Sequence, residues 1–199
     1  MKKKETIVFA SKNKHKIEEV KTILFGSYEV ITQTDIGYFE DVEENGKTFE
    51  DNALIKAKSI AKYLNDKNLY YKVLSDDTGL CVDSLGGRPG VHSARYVSDH
   101  NDKANRDKIL EELKGKDRKA NFTCVVVFMD SKTFEYKVGE GKTYGYITET
   151  EKGDTSFGYD CIFYSDDLQK TFGEATSEEK NSVSHRGKAL IDLLKKIGE

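Results

Sequence analysis

From Leu69 to Leu74 the chain is rich in β-formers; it then meets two neighbouring carboxylates, Asp76 and Asp77, and after them glycines turn it repeatedly. Gly79, Gly86, Gly87 and Gly90 fall in this stretch, together with the only proline, Pro89, before the run ends at Tyr96. The spacing predicts a strand over Leu69–Leu74 closed by an acidic turn. Pro89-Gly90 suits a type II turn, in which proline fixes φ at the first central position and glycine takes the positive φ of the second. Paired carboxylates at a strand end offer the hard oxygen atoms that Mg²⁺ prefers. They are also what a solvated polar turn looks like, so other segments have to decide between the two.

A chain of 199 residues can bury one sizeable core, or two lobes sharing one. Neither a linker-like change of composition nor an internal repeat divides residues 1–199, so a single domain is expected. Its net charge of -3 gives no general electrostatic surface for nucleic acid or a membrane. The three cysteines, Cys81, Cys124 and Cys161, are odd in number and far apart. They form no disulfide framework and no zinc spacing, which suits a reducing cytoplasm. Met-Lys-Lys-Lys-Glu at the start is basic, but the apolar run Ile7–Ala10 is too short for a signal region, and no run reaches transmembrane length.

Thr6–Ala10 reads as a buried strand, and Lys14–Leu24 as a helix with Ile17, Val20, Ile23 and Leu24 on one face. Asn13 is its N-cap, and the free N–H groups of a helix start can hold an anion. Ser11, Lys12, Asn13, Lys14, His15 and Lys16 surround that start. Lysine in a first helical turn opposes the macrodipole at about 0.3–1 kcal/mol each, which points to phosphate unless the helix is only a lysine-rich surface. A short strand over Glu29–Gln33 leads into an acidic loop carrying Glu40, Asp41, Glu43 and Glu44. Thr48-Phe49-Glu50-Asp51 opens a second helix with a capping-box pattern, its stripe being Phe49, Ala53, Ala57, Ile60, Ala61 and Leu64. Asn52 and Lys56, four apart, share a polar face; Lys56 either snorkels or aims its charge inward.

Asp102–Leu113 fits a further helix, and Ala120–Met129 a strand covered on both faces. Phe134–Glu140 and Thr143–Thr148 read as two pairing strands with Gly139 and Gly141 near the turn. The run Ser156–Tyr164, with Phe157, Gly158, Tyr159 and Asp160, is either a set of core aromatics or a platform that stacks a planar base and satisfies its edge. Ser184 caps a terminal helix with Ala189, Leu190, Leu193, Leu194 and Ile197 on one face. There His185, Arg186 and Lys188 again place cations at a helix start.

Five ordered motifs carry a resemblance. They are Ser11-Lys12-Asn13 with Lys16; Thr48-Phe49-Glu50-Asp51-Asn52-Ala53 with Lys56-Ala57; Asp76-Asp77-Thr78-Gly79-Leu80 through Gly90 to Ser93-Ala94-Arg95-Tyr96; Phe157-Gly158-Tyr159-Asp160; and Glu179-Lys180-Asn181 with Ser184-His185-Arg186. In their order and spacing the chain resembles the inosine triphosphate pyrophosphatase family, also called Ham1-like, from Ile7 almost to the C-terminus. The resemblance implies an α/β fold: a long, twisted, mixed sheet flanked by helices, with two lobes and a central cleft. It implies Mg²⁺-dependent hydrolysis of deaminated purine triphosphates (ITP, dITP, XTP) to a monophosphate and pyrophosphate, by a homodimer. Carried over by motif, Asp77 is general base and metal ligand, with Glu43 as its metal-binding partner. Ser11, Asn13, Lys16, Lys56 and Thr78 face the phosphates, Lys12, Lys14 and His15 lying in the same loop. Phe157 stacks on the base beside Gly158 and Tyr159, and Asp160, Lys180, His185 and Arg186 define its edges. Lys12 stands where the family usually has glycine, Thr78 where it has serine, and His92 and Cys161 where it has an aromatic residue and proline. Two other functions fit the same residues: a pyrophosphatase for pyrimidine or modified nucleotides, and a nucleotide-sensing module without turnover.

Overall fold

A computed structural model describes residues 4–99, 101–154 and 157–198. Capping chemistry sets the helix starts. Asn13 caps α1 (Lys14–Ile23) by accepting the Lys16 N–H. Thr48 caps α2 (Phe49–Asp66) in a reciprocal box with Asp51, and Thr176 caps α4 (Ser177–Val183) in the same way with Glu179. Asn101 caps α3 (Asp102–Glu112). The Ser184 hydroxyl accepts the Gly187 N–H in the first turn of α5 (His185–Ile197).

The strands are β1 (Glu5–Phe9), β2 (Tyr28–Thr32), β3 (Lys72–Val82), β4 (Lys119–Asp130), β5 (Tyr136–Ile147), β6 (Phe163–Ser165) and β7 (Lys170–Thr171). They form one mixed sheet in the order β2-β1-β3-β4-β5-β6-β7, flanked by helices. β1 pairs in parallel with β2 and β3, while β6 pairs antiparallel with β5 and β7.

The chain divides into two compact units. The first holds the residues up to Asp77, Val125–Glu140 and the segment from Ala189 onward. Its core sets Ala53, Ala57, Ile60 and Leu64 of α2 against Val8 of β1, Val73 of β3, and Val127 and Met129 of β4. The alanine stripe therefore brings the α2 backbone close to the strands, as its small side chains allow. The second unit, Thr78–Cys124 and Gly141–Lys188, has a core of its own built on Leu80, Ile109, Phe122, Ile147, Ile162, Phe163 and Phe172.

Three local expectations give way. β3 does not stop at Leu74 but runs through Asp76, Asp77 and Gly79 to Val82. Burial on the sheet overrides the poor β propensity of Asp and Gly. Pro89 has ψ of -22°, not the +120° of a type II turn, and leads into a 3-10 turn over Gly90–Arg95. Gly139 and Gly141 make no turn, because Tyr136–Ile147 is one strand. A Cβ at Gly139 would lie 2.4 Å from the Ala189 carbonyl, so that glycine admits the α5 backbone rather than bending the strand.

Candidate active site

In the first unit α2 brings a polar edge to the acids of β3. Asp77, 7% exposed, accepts from Asn52 Nδ2 at 2.9 Å. Asn52 is itself fully buried, and its Oδ1 accepts the Gly46 N–H at 2.8 Å. A Cβ on Gly46 would come within 2.7 Å of that Oδ1, so glycine is what lets the acidic loop close onto the start of α2. One turn further along α2, Lys56 Nζ donates to Glu44 Oε2 at 2.8 Å. Lys16, from the first turn of α1, reaches Asp76 at 3.1 Å and 3.2 Å through the two carboxylate oxygens.

These charges hold one another. Burial pushes the Asp77 carboxyl above its ordinary pKa and Glu44 adds to the push, while Lys56, Lys16 and the Asn52 hydrogen bond oppose it. Burial works against the Lys56 ammonium, yet Asp76, Glu44 and Asp77 outweigh it and hold its pKa above the usual value. A buried carboxylate with a raised pKa, oriented by an amide, is a suitable proton acceptor near neutral pH.

Among the described residues no cluster of three or more His, Cys, Asp or Glu side chains is arranged to hold a metal ion. Asp77 and Glu44 do feel each other's charge. Such a pair of hard-oxygen donors fits Mg²⁺, which commonly takes one or two carboxylates and fills its other positions with water and substrate phosphate. Glu43, the residue carried over as the metal partner, is exposed, and its neighbour Glu44 occupies the place beside Lys56.

The rest of the α1 start is more dispersed. The Ser11 hydroxyl accepts the Asn13 N–H at 3.2 Å. Lys12 turns away to the Phe39 carbonyl and the Asp41 carboxylate, while Lys14 and His15 are exposed.

The second unit gathers the aromatic and edge-reading candidates. Lys180 of α4 donates to Asp160 Oδ2 at 2.6 Å and lies over the rings of Phe157, at 5.0 Å, and Phe172, at 5.7 Å. The Tyr159 hydroxyl donates to the Ser93 carbonyl at 2.7 Å. His185 stacks on Phe122 with centroids 4.7 Å apart. Arg186, fully buried, donates to the Thr78 hydroxyl at 3.3 Å. Ser156, at the head of the aromatic run, lies outside the described residues.

Three residues of these contact networks do not stand out in the sequence. Glu44 was one acid among several in a loop. Asn52 was placed on a polar face, and its four-residue spacing from Lys56 was the available signal. Arg106, which holds the Gly158 carbonyl at 2.8 Å, carried no signal in the sequence.

Comparisons with known proteins show the family. The model of the Ham1 family matches residues 7–196. A dITP/XTP pyrophosphatase of Clostridium perfringens is 48% identical over 192 residues, 94% of either chain. That of Bacillus subtilis is 45% identical over 197 residues, 96% of either chain. Among solved structures, a HAM1 protein from Coxiella burnetii superposes with a TM-score of 0.85 at 36% identity, covering 97% of this chain and 98% of that one. The Staphylococcus aureus Ham1 protein does so with 0.83 at 39% identity and the same coverage. With the family model matching nearly the whole chain and relatives this similar over nearly their full length, the chain belongs to the Ham1 family.

Proposed function

We propose that the chain hydrolyses deaminated purine nucleoside triphosphates, dITP, XTP and ITP, to the monophosphate and pyrophosphate. The observation that carries this reading is Asp77: a buried carboxylate, oriented by Asn52, within a set that also holds Lys16, Lys56 and Glu44. The names of the relatives, dITP/XTP pyrophosphatases, supply the substrate class.

In this mechanism Asp77 takes a proton from water as the water oxygen bonds to the α-phosphorus. The bond from that phosphorus to the oxygen bridging to the β-phosphate breaks, and its electron pair leaves with pyrophosphate. Asn52 fixes the carboxylate rotamer, while Lys56 and Lys16 meet the negative charge that grows on the leaving group. Mg²⁺ arriving with the triphosphate would sit against Asp77 and Glu44 and neutralise phosphate charge. Glu44 replaces Glu43 in this role because its carboxylate is the one beside Lys56. Ser11 and Asn13, with the first N–H groups of α1, add anion donors. Phe157 takes the base face, and Asp160 with Lys180, His185 and Arg186 reads the base edge. A donor aimed at a 6-oxo group meets another donor when the purine carries a 6-amino group; such a mismatch can reach about 10⁴-fold.

Residues 1–199 act as one catalytic domain, working as a cytoplasmic homodimer, the state that the family resemblance supports. The purified chain given dITP, XTP, ITP, dATP, dGTP and dUTP, with and without Mg²⁺, should release pyrophosphate from the first three and only with the metal. Tight dITP binding without pyrophosphate release, or preference for dUTP, would replace this reading.

A further inference from the structure

One helix grips the loop that carries the base-reading residues. Gly158 has a φ of +51°, a left-handed conformation that glycine adopts at little cost. Both of its backbone groups are held by α3: its N–H donates to Asp102 Oδ2 at 2.8 Å, and its carbonyl accepts from an Arg106 terminal nitrogen at 2.8 Å. Asp102 and Arg106 are four residues apart and so share a helix face. Arg106 Nε also donates to Glu151 Oε1 at 2.8 Å, with the arginine side chain only 4% exposed. The helix is fastened in turn, since buried Asn105 accepts the N–H groups of Val97 and Ser98 and donates to the carbonyls of Ala94 and Ser98.

Burying a guanidinium is costly unless its donors are answered. An apolar residue would cover this face of α3 more cheaply, and what the arginine adds is a fixed fork. The fork holds the residue directly between Phe157 and Tyr159-Asp160. Moving Gly158 would shift the Phe157 ring and the Asp160 carboxylate together, and with them the seat of Lys180, which touches both.

We propose that Arg106, with Asp102, is a positioning residue for base recognition: by holding both backbone groups of Gly158 it sets the Phe157 ring and the Asp160–Lys180 pair for a 6-oxopurine edge. This rests on the function proposed above.

The test compares wild type with Arg106→Leu and Arg106→Lys, each labelled with ¹⁵N-glycine to follow Gly158 amide exchange. Steady-state kinetics on dITP and dATP, and inhibition by inorganic tripolyphosphate, which has no base, complete the set. In Arg106→Leu, Gly158 exchange should quicken about tenfold, and the dITP-to-dATP specificity ratio should fall about tenfold. That fall should come through KM for dITP, with kcat within about threefold and tripolyphosphate inhibition within about twofold. Arg106→Lys, still able to reach one acceptor, should recover part of the ratio. An unchanged ratio despite faster Gly158 exchange overturns the proposal, as does a parallel loss of kcat, ratio and tripolyphosphate inhibition. If Arg106→Leu does not fold, Asp102→Asn, which weakens the grip on the amide, is read by the same criteria. A wild-type protein that releases no pyrophosphate from dITP removes the functional reading and this proposal with it. Unchanged specificity in an active enzyme removes this proposal alone.

Discussion

The two units surround their buried cations differently. In the first, Lys16 and Lys56 answer carboxylates: Asp76 for the one, Glu44 for the other, with the field of Asp77 close by. In the second, Lys180 and Arg106 have carboxylate partners too, Asp160 and Glu151, but Lys180 also lies over the rings of Phe157 and Phe172, the His185 ring stacks on Phe122, and Arg186 donates to the Thr78 hydroxyl. A carboxylate-rich surround suits a site that exchanges one set of anions for another, as phosphates and a metal ion come and go. A surround of rings and aligned donors suits a planar, weakly charged ligand whose hydrogen-bonding edge must be told from similar ones. The difference teaches that helix-start cations in a single chain need not share a task. Substitutions in the first unit should therefore act on turnover, and those in the second on the choice of base.

The largest effect is expected at Asp77. Asp77→Asn keeps the shape and the contact to Asn52 but loses the proton acceptor, so kcat should fall about 10³-fold while calorimetry still shows dITP binding. Near-normal turnover would take the base out of the first unit and break the comparison. Arg186 comes next. Arg186→Ala should lower the preference for ITP over ATP about 10²-fold, with turnover of ITP much less affected. Because the side chain is fully buried, Arg186→Lys and the melting temperature of each variant separate lost recognition from lost packing. A ratio that stays unchanged would make Arg186 structural.

Part of the local structure was legible in the sequence, for reasons that show where legibility ended. Helix starts are written locally: Asn13 and Thr48 cap as their side chains predict, so the cations behind them fell where expected. The strand through Asp76-Asp77-Thr78-Gly79 was not legible, because its residues disfavour strands and only its place within the sheet makes them one. The placing of Glu44, rather than Glu43, beside Lys56 depends on a loop path fixed by the Gly46 amide on Asn52, a contact across six residues. No periodicity encodes such a path. Arg106 lay further out of reach, since its partners stand 45 and 52 residues away.

Asn52 offers a sharper cut. Asn52→Ala removes both the orienting bond to Asp77 and the anchor for Gly46, and should lower kcat about tenfold without altering the ratio of dITP to dATP. A change in that ratio, measured by competing the two substrates, would blur the division between the units.

The smallest effect should come from Asp130, in the first unit but away from its acids. Its carboxyl is held down to about 2, chiefly by the Lys72 ammonium at 2.6 Å and further by the Lys132 and Thr133 N–H groups. The folded pKa is depressed, so the contribution to stability is present above about pH 4 and is lost as pH falls through about 2. Allowing for solvent screening of this partly exposed pair, Asp130→Asn should cost about 1 kcal/mol at neutral pH and almost nothing near pH 2. Urea unfolding at the two pH values reads the difference, and neither turnover nor base preference should move.

The most direct test of the account is the fate of the attacking oxygen. Hydrolysis of dITP in oxygen-18 water, followed by mass spectrometry of both products, should place the label in dIMP and leave pyrophosphate unlabelled, as attack on the α-phosphorus with Asp77 as base requires. Label in pyrophosphate, or release of inorganic phosphate in its place, would contradict it.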